Sequence, residues 1–211
     1  MKYCAIVPDR GDRPQFFEFC VKQINRMGMG NACYLMNEKP KSDEVDIVPR
    51  IRQGIEMAKH DGFEFIYCIE SDDWYPADYI TGDVSNLDFI GFSSTLYYNL
   101  RNRTYEIMKH KGRSSLFCTG FRISALEGFN WPADNAKFLD IDLWQFANNF
   151  KKRIKLIEEP IALGIKHGIG KCGGKGHQLH MKNQDNNLHF LQTFVDEEAF
   201  IFYSNLIKER F

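Results

Sequence analysis

The sequence lacks a long apolar run, an excess of either charge, a paired-cysteine motif and any internal repeat, and each absence removes a class of protein. No stretch approaches the ~20 apolar residues of a membrane helix, so a soluble protein without a membrane span, cytoplasmic in location, is expected. Lys and Arg number 27 against 28 for Asp and Glu. That balance gives no global positive field to gather duplex nucleic acid, and any anionic ligand must be met locally. The run Lys109 to Arg113 is such a local basic patch. Six cysteines, at positions 4, 20, 33, 68, 118 and 172, stand singly and mostly within apolar runs. This is how buried thiols look in a reducing compartment, not a disulfide framework. What is present is a chain of 211 residues, 44% of them hydrophobic. That is material for one core, and residues 1–211 are read as a single domain.

The first third alternates cleanly. Lys2 to Val7 is an apolar run closed by Pro8 and a polar loop from Asp9 to Arg13, which predicts a strand and a turn. Phe16, Cys20, Ile24 and Met27 then recur at helical spacing, with Asp12 as expected cap and Pro14 in the first turn. Ala32 to Met36 predicts the next strand, and Ile51, Ile55 and Ala58 a helix running to about His60. Phe63 to Ile69 is nearly continuously apolar, as a central strand covered on both faces should be. The order β-α-β-α-β predicts a doubly wound α/β fold whose ligands bind beyond the carboxyl ends of the strands.

Further on, Leu87 to Phe92 reads as a strand, and Leu96 to Tyr98 with Tyr105 to Met108 as a hairpin. Leu116 to Ile123 and Ile154 to Ile157 read as strands, and Leu139 to Asn149 as a helix. Residues 164–176 hold six glycines and are expected to form a loop. A closing helix buries Ala199, Phe202, Tyr203, Leu206 and Phe211.

The feature with chemistry in it is Glu70-Ser71-Asp72-Asp73, directly after the best buried strand. Three crowded carboxylates repel unless a cation sits among them, and hard oxygen ligands suit Mn2+ or Mg2+. The alternative is an acidic turn capping a helix begun at Trp74. Ile69 to Ile80, with its acidic run, aromatic, Pro76 and Asp78, resembles the DxD-type segment of glycosyltransferase family two, of the GT-A fold. Arg50 and Gly54 resemble the Arg-Asn-x-Gly stretch before that motif, with Arg52-Gln53 in place of the Asn. Ser114 to Arg122 resembles the family's acceptor-side strand, and Phe138 to Trp144 its Glu-Asp-x-Asp-Leu helix start. The likeness covers roughly residues 1 to 170.

That resemblance implies a GT-A (nucleotide-diphospho-sugar transferase) fold, a Rossmann-like mixed sheet flanked by helices. It implies metal-dependent transfer of a sugar from a nucleoside-diphosphate sugar to an acceptor hydroxyl, with inversion. Asp72 becomes the principal metal ligand, with Glu70 and Asp73 beside it, although the family usually has Asp at the Glu70 position. Pro8, Asp9 and Arg10 fall where the family binds base and ribose, and Arg50, Glu70, Ser71 and Asp73 join the donor-binding set, to which Lys166 and Lys171 of the glycine-rich stretch add positive charge against the phosphates. Asp140 becomes the general base, with Asp142 next, although Leu139 replaces the family's Glu. The alternative for Asp140 is a helix cap. Lys166-His167-Gly168 resembles the late loop that brings a histidine onto the metal, and its closure would exclude water.

Two other readings stay open. His167, Cys172, His177 and His180 are potential zinc ligands, though their spacing fits no common finger, and zinc would suit a non-catalytic binding domain. Nucleotidyl transfer would use the same sheet and paired acids, but no Gly-x-Gly phosphate loop follows the first strand. The acceptor, whether glycan, small molecule or nucleic acid, is not named by any motif.

Overall fold

The computed structural model describes residues 1–40, 42–80, 82–169 and 181–211. The chain opens with β1 (Tyr3–Pro8), α1 (Pro14–Arg26), β2 (Cys33–Met36), α2 (Ile47–His60) and β3 (Phe65–Cys68), the alternation that its apolar spacing predicts. It continues through β4 (Phe89–Phe92), β5 (Ser94–Asn99), β6 (Thr104–Lys109), β7 (Gly120–Arg122), α3 (Leu139–Asn149), β8 (Ile154–Ile157) and β9 (Leu163–Lys166). β10 (Asn183–Gln184), α4 (His189–Phe194) and α5 (Glu197–Arg210) close it.

Six strands form the main sheet in the order β2-β1-β3-β7-β4-β8. β7 runs antiparallel to both its neighbours, while β1 is parallel to β2 and β3, and β4 to β8. Strand side chains alternate between faces. Cys4, Ile6, Ile66 and Cys68 therefore pack with Val48, Ile51 and Ile55 of α2 and with Leu143 and Trp144 of α3. Ala5, Val7, Phe65, Tyr67 and Ile69 pack on the other side with Cys20 and Ile24 of α1. Gly54 lets α2 approach β1 closely, since a Cβ there would lie 2.7 Å from Ile6 Cγ2.

A second sheet, β10-β6-β5-β9, stands against α1 and α5. Its β5–β6 pair is the expected hairpin, in register from Ser94↔Lys109 to Asn99↔Thr104. Leu163–Lys166, the start of the glycine-rich stretch, is a strand parallel to β5 and not a loop. Gly164 is needed there for contact, because a Cβ would meet the Tyr97 ring at 2.6 Å.

Three further local expectations change. Leu116–Cys118 is a turn of 3-10 helix before the short β7, not the start of a strand. Ser114 Oγ donates to Cys118 O at 3.1 Å and Thr119 Oγ1 to Ser115 O at 2.8 Å, local bonds that compete with a ladder. The α1 cap position is Arg13, not Asp12, and it carries no side-chain cap bond. Phe211 is 46% exposed, so the buried stripe of α5 ends with Leu206 and Ile207. No described helix is long and apolar enough to cross a membrane. Cys4, Cys20, Cys33, Cys68 and Cys118 are all free thiols.

Candidate active site at the carboxyl edge of the sheet

The acidic run follows β3 as turns joined to β9 by a single bridge, Trp74 with Leu163, and not as the start of a helix. Four hydrogen bonds hold it in place. Gln23 of α1 donates from Nε2 to Asp73 O at 2.9 Å and accepts the Tyr75 amide at 2.8 Å. The Glu70 amide donates to Tyr75 Oη at 2.9 Å, and the Trp74 indole to Asp196 at 2.9 Å. A polar residue in the apolar stripe of α1 is the sequence signal that marks Gln23. Replacing Gln23 with Leu leaves two buried backbone groups unpaired, an expected loss of about 2–4 kcal/mol in urea unfolding.

Ligand atoms of Glu70, Asp72 and Asp73 all lie within 4.8 Å of one another. Each carboxylate has a different environment. Asp72 is buried, yet the guanidinium of Arg13 bonds Oδ2 and His167 Nε2 lies 2.9 Å from the same oxygen. Burial alone would raise its pKa, but Arg13, then His167 and Lys166, hold it well below the usual range. Asp73 accepts the Ile165 amide on Oδ1 at 2.7 Å, while Oδ2 has no partner among the described residues. Burial and then the neighbouring Asp72 and Glu70 charges push it well up. Glu70 rises to about 7, through burial first and the Asp72 charge second. Such a trio repels itself until a positive charge joins it.

Glu70 and Asp72 open onto a cavity of about 260 Å³ at the carboxyl ends of β1 and β3. Glu70, Asp72, Pro8, Arg10, Arg13, Arg50, Asp140 and Lys166 all line it. Asp9, Ser71 and Asp73 do not. Ser71 Oγ donates to Asp9 Oδ2 at 2.6 Å, and Asp9 Oδ1 accepts the Gly11 amide at 2.7 Å, so the pair ties the β1 loop to the acidic run. Arg10 is fixed by Asp46 Oδ1 and Glu44 O, both at 2.6 Å. Arg50 grips the other Asp46 oxygen at 2.8 Å and Met36 O at 2.6 Å. Lys166 Nζ sits 4.8 Å from the Tyr97 ring centroid.

Asp140 lies in the first turn of α3 with its side chain 13% exposed, and Arg113 donates to it at 2.7 Å. The α3 cap position belongs to Phe138, so Asp140 is not the capping residue. Burial raises the Asp140 pKa, and Arg113 only partly offsets this. Asp142 occupies the same turn but is not in the cavity lining. Sequence reasoning did not anticipate another part of the lining, where Tyr97, His110 and Ser115 are joined through the bonds Tyr97 Oη to Ser115 Oγ (2.6 Å) and Ser115 Oγ to His110 Nε2 (3.2 Å). Lys171, Cys172, His177 and His180 lie outside the described residues, so the zinc alternative has only His167 in view.

A mostly parallel sheet with one inserted antiparallel strand, flanked by helices, matches the GT-A architecture. A solved example is a Drosophila β-1,4-galactosyltransferase 7 mutant in complex with manganese, UDP-Gal and xylobiose. It matches over 74% of this chain and 64% of its own, at 12% identity and a TM-score of 0.50. The present chain thus spans just under two thirds of that protein, and the likeness is one of fold. S. aureus TarS in complex with UDP-GlcNAc follows at 12% identity and TM-score 0.47, covering 98% of this chain and 65% of that one. The inositol-1-phosphate CTP transferase of T. maritima follows at 11% and 0.40, covering 100% and 97%. No protein-family model and no curated protein sequence matches the chain.

Proposed function

We propose that the chain is a glycosyltransferase that moves a sugar from a nucleoside-diphosphate sugar to an acceptor hydroxyl, with inversion. The observation that carries this reading is the meeting of Glu70 and Asp72 with Asp140 in one cavity, with Asp73 behind them. The anomeric carbon–oxygen bond breaks with its electron pair leaving on the diphosphate. The acceptor oxygen bonds the opposite face of that carbon, and its proton passes to Asp140.

The donor set fits a divalent cation of the Mn2+ or Mg2+ kind, because the oxygens are hard and Asp73 Oδ2 is buried without a partner among the described residues. Glu70, Asp72 and Asp73 would hold that ion, which when bound neutralises charge on the departing diphosphate. The chain's own cations serve the same end. Lys166 and Arg13 border the cavity and offset phosphate charge, while Arg10 and Arg50, locked through Asp46, shape the region for the nucleoside. Asp9 and Ser71 act indirectly, by fixing the acidic run against β1.

Thermal unfolding in the presence of a panel of nucleoside diphosphates and nucleotide sugars, with and without Mn2+, tests the proposal. One donor at about 100 times its Kd should stabilise the protein by about 2.7 kcal/mol, and only with the metal. Equal stabilisation by nucleoside triphosphates, with release of pyrophosphate, would point to nucleotidyl transfer instead. No shift with any compound would sink both.

A further inference from the structure

His167 is 2% exposed and follows Lys166 at the end of β9, its ring stacked on Phe16 at 4.2 Å. Its two nitrogens have unequal neighbours. Nδ1 accepts the Ile169 amide at 3.0 Å, and since a backbone amide can only donate, Nδ1 must present its lone pair. The neutral ring then carries its proton on Nε2, which lies 2.9 Å from Asp72 Oδ2. Arg13 bonds that same oxygen. The 3.4 Å between Arg13 Nη1 and His167 Nε2 is the spacing of two donors that share one acceptor, not a bond between them.

We infer that His167 is a positioning residue and not a metal ligand: with Arg13 it pins Asp72 by Oδ2 and leaves Oδ1 for a cation. Ligation through Nε2 would require the proton to move to Nδ1, which would set two N–H groups against each other across the 3.0 Å to Ile169. That exchange forfeits a buried hydrogen bond and leaves two donors unpaired. Among the described residues the cation site is therefore made of carboxylate oxygens, a set that favours Mn2+ and Mg2+ over the nitrogen- and sulfur-seeking Zn2+. Donors that hold a ligating carboxylate tune a site from behind it.

This inference rests on the acidic run taking a divalent ion, for which Asp73 Oδ2, buried without a partner among the described residues, is the independent sign. Pulsed electron paramagnetic resonance of the full chain with Mn2+ alone, with histidine nitrogen as 14N and then 15N, tests it. The expected spectrum shows no directly bonded nitrogen from His167. In Mn2+ titrations His167→Gln, whose amide can still donate to Asp72, keeps the affinity within about threefold, whereas His167→Ala loses about tenfold or more. A direct histidine coupling that vanishes in H167Q overturns the inference and leaves the metal reading standing. A coupling that persists in H167Q comes from another histidine and supports it. If H167Q loses as much affinity as H167A, the positioning role fails. If the wild-type protein takes up no Mn2+, the metal reading falls and the inference with it.

Discussion

Asp72→Asn should abolish metal-dependent donor binding and destabilise the protein together. The carboxylate is the buried counter-charge of Arg13, whose side chain is 7% exposed. Removing one partner of a buried ion pair strands the other, at about 3–5 kcal/mol. The stability loss is read by urea unfolding without metal, and the binding loss by the donor titration with Mn2+. The two effects can be separated. Arg13→Met in the D72N background removes the stranded charge and should restore part of the stability, with no recovery of donor binding. A D72N protein as stable as wild type and still responsive to Mn2+ would disprove the central role given to this side chain.

Asp140→Asn should act on turnover instead. Loss of a general base costs about 10²- to 10⁴-fold in rate, and the donor affinity should stay near that of wild type because Asp140 is not one of the three carboxylates assigned to the cation. The pH profile supplies a second readout. A base works when deprotonated, so the rate falls as pH drops through its pKa. Burial holds Asp140 above the ordinary aspartate value of 3.8, and the acidic limb of the profile should lie above it too. Arg113→Gln removes the cation that partly offsets burial, and should move the limb further up. A D140N enzyme with unimpaired transfer would exclude Asp140 as base, and a limb that ignores Arg113 would assign it to another group.

Much of the architecture could be read from local spacing. β1, α1, β2, α2 and β3 declare themselves because helical and strand periodicities are properties of neighbouring residues, and the burial of Ile51, Ile55 and Ala58 follows from their positions three and four apart. The hairpin of β5 and β6 is equally local. The 3-10 turn at Leu116–Cys118 was not legible, because the competing bonds of Ser114 and Thr119 involve side chains that a hydrophobic pattern ignores. Nor was β9, where Gly164 reads as a loop former until the Tyr97 ring is seen against it.

By itself, then, the amino-acid order determined the alternating elements and placed Glu70, Asp72 and Asp73 within one four-residue run after β3, where the turn lets their carboxylates converge. The tertiary structure decided their partners. Arg13 and His167 reach Asp72 from 59 and 95 residues away, and Gln23 reaches the Asp73 carbonyl from 50. Insertion of β7 between β3 and β4, and the pairing of β9 with β5, bring these groups together. Such pairings are selected by the burial of whole faces against one another, and that free energy is not written in any short stretch of sequence.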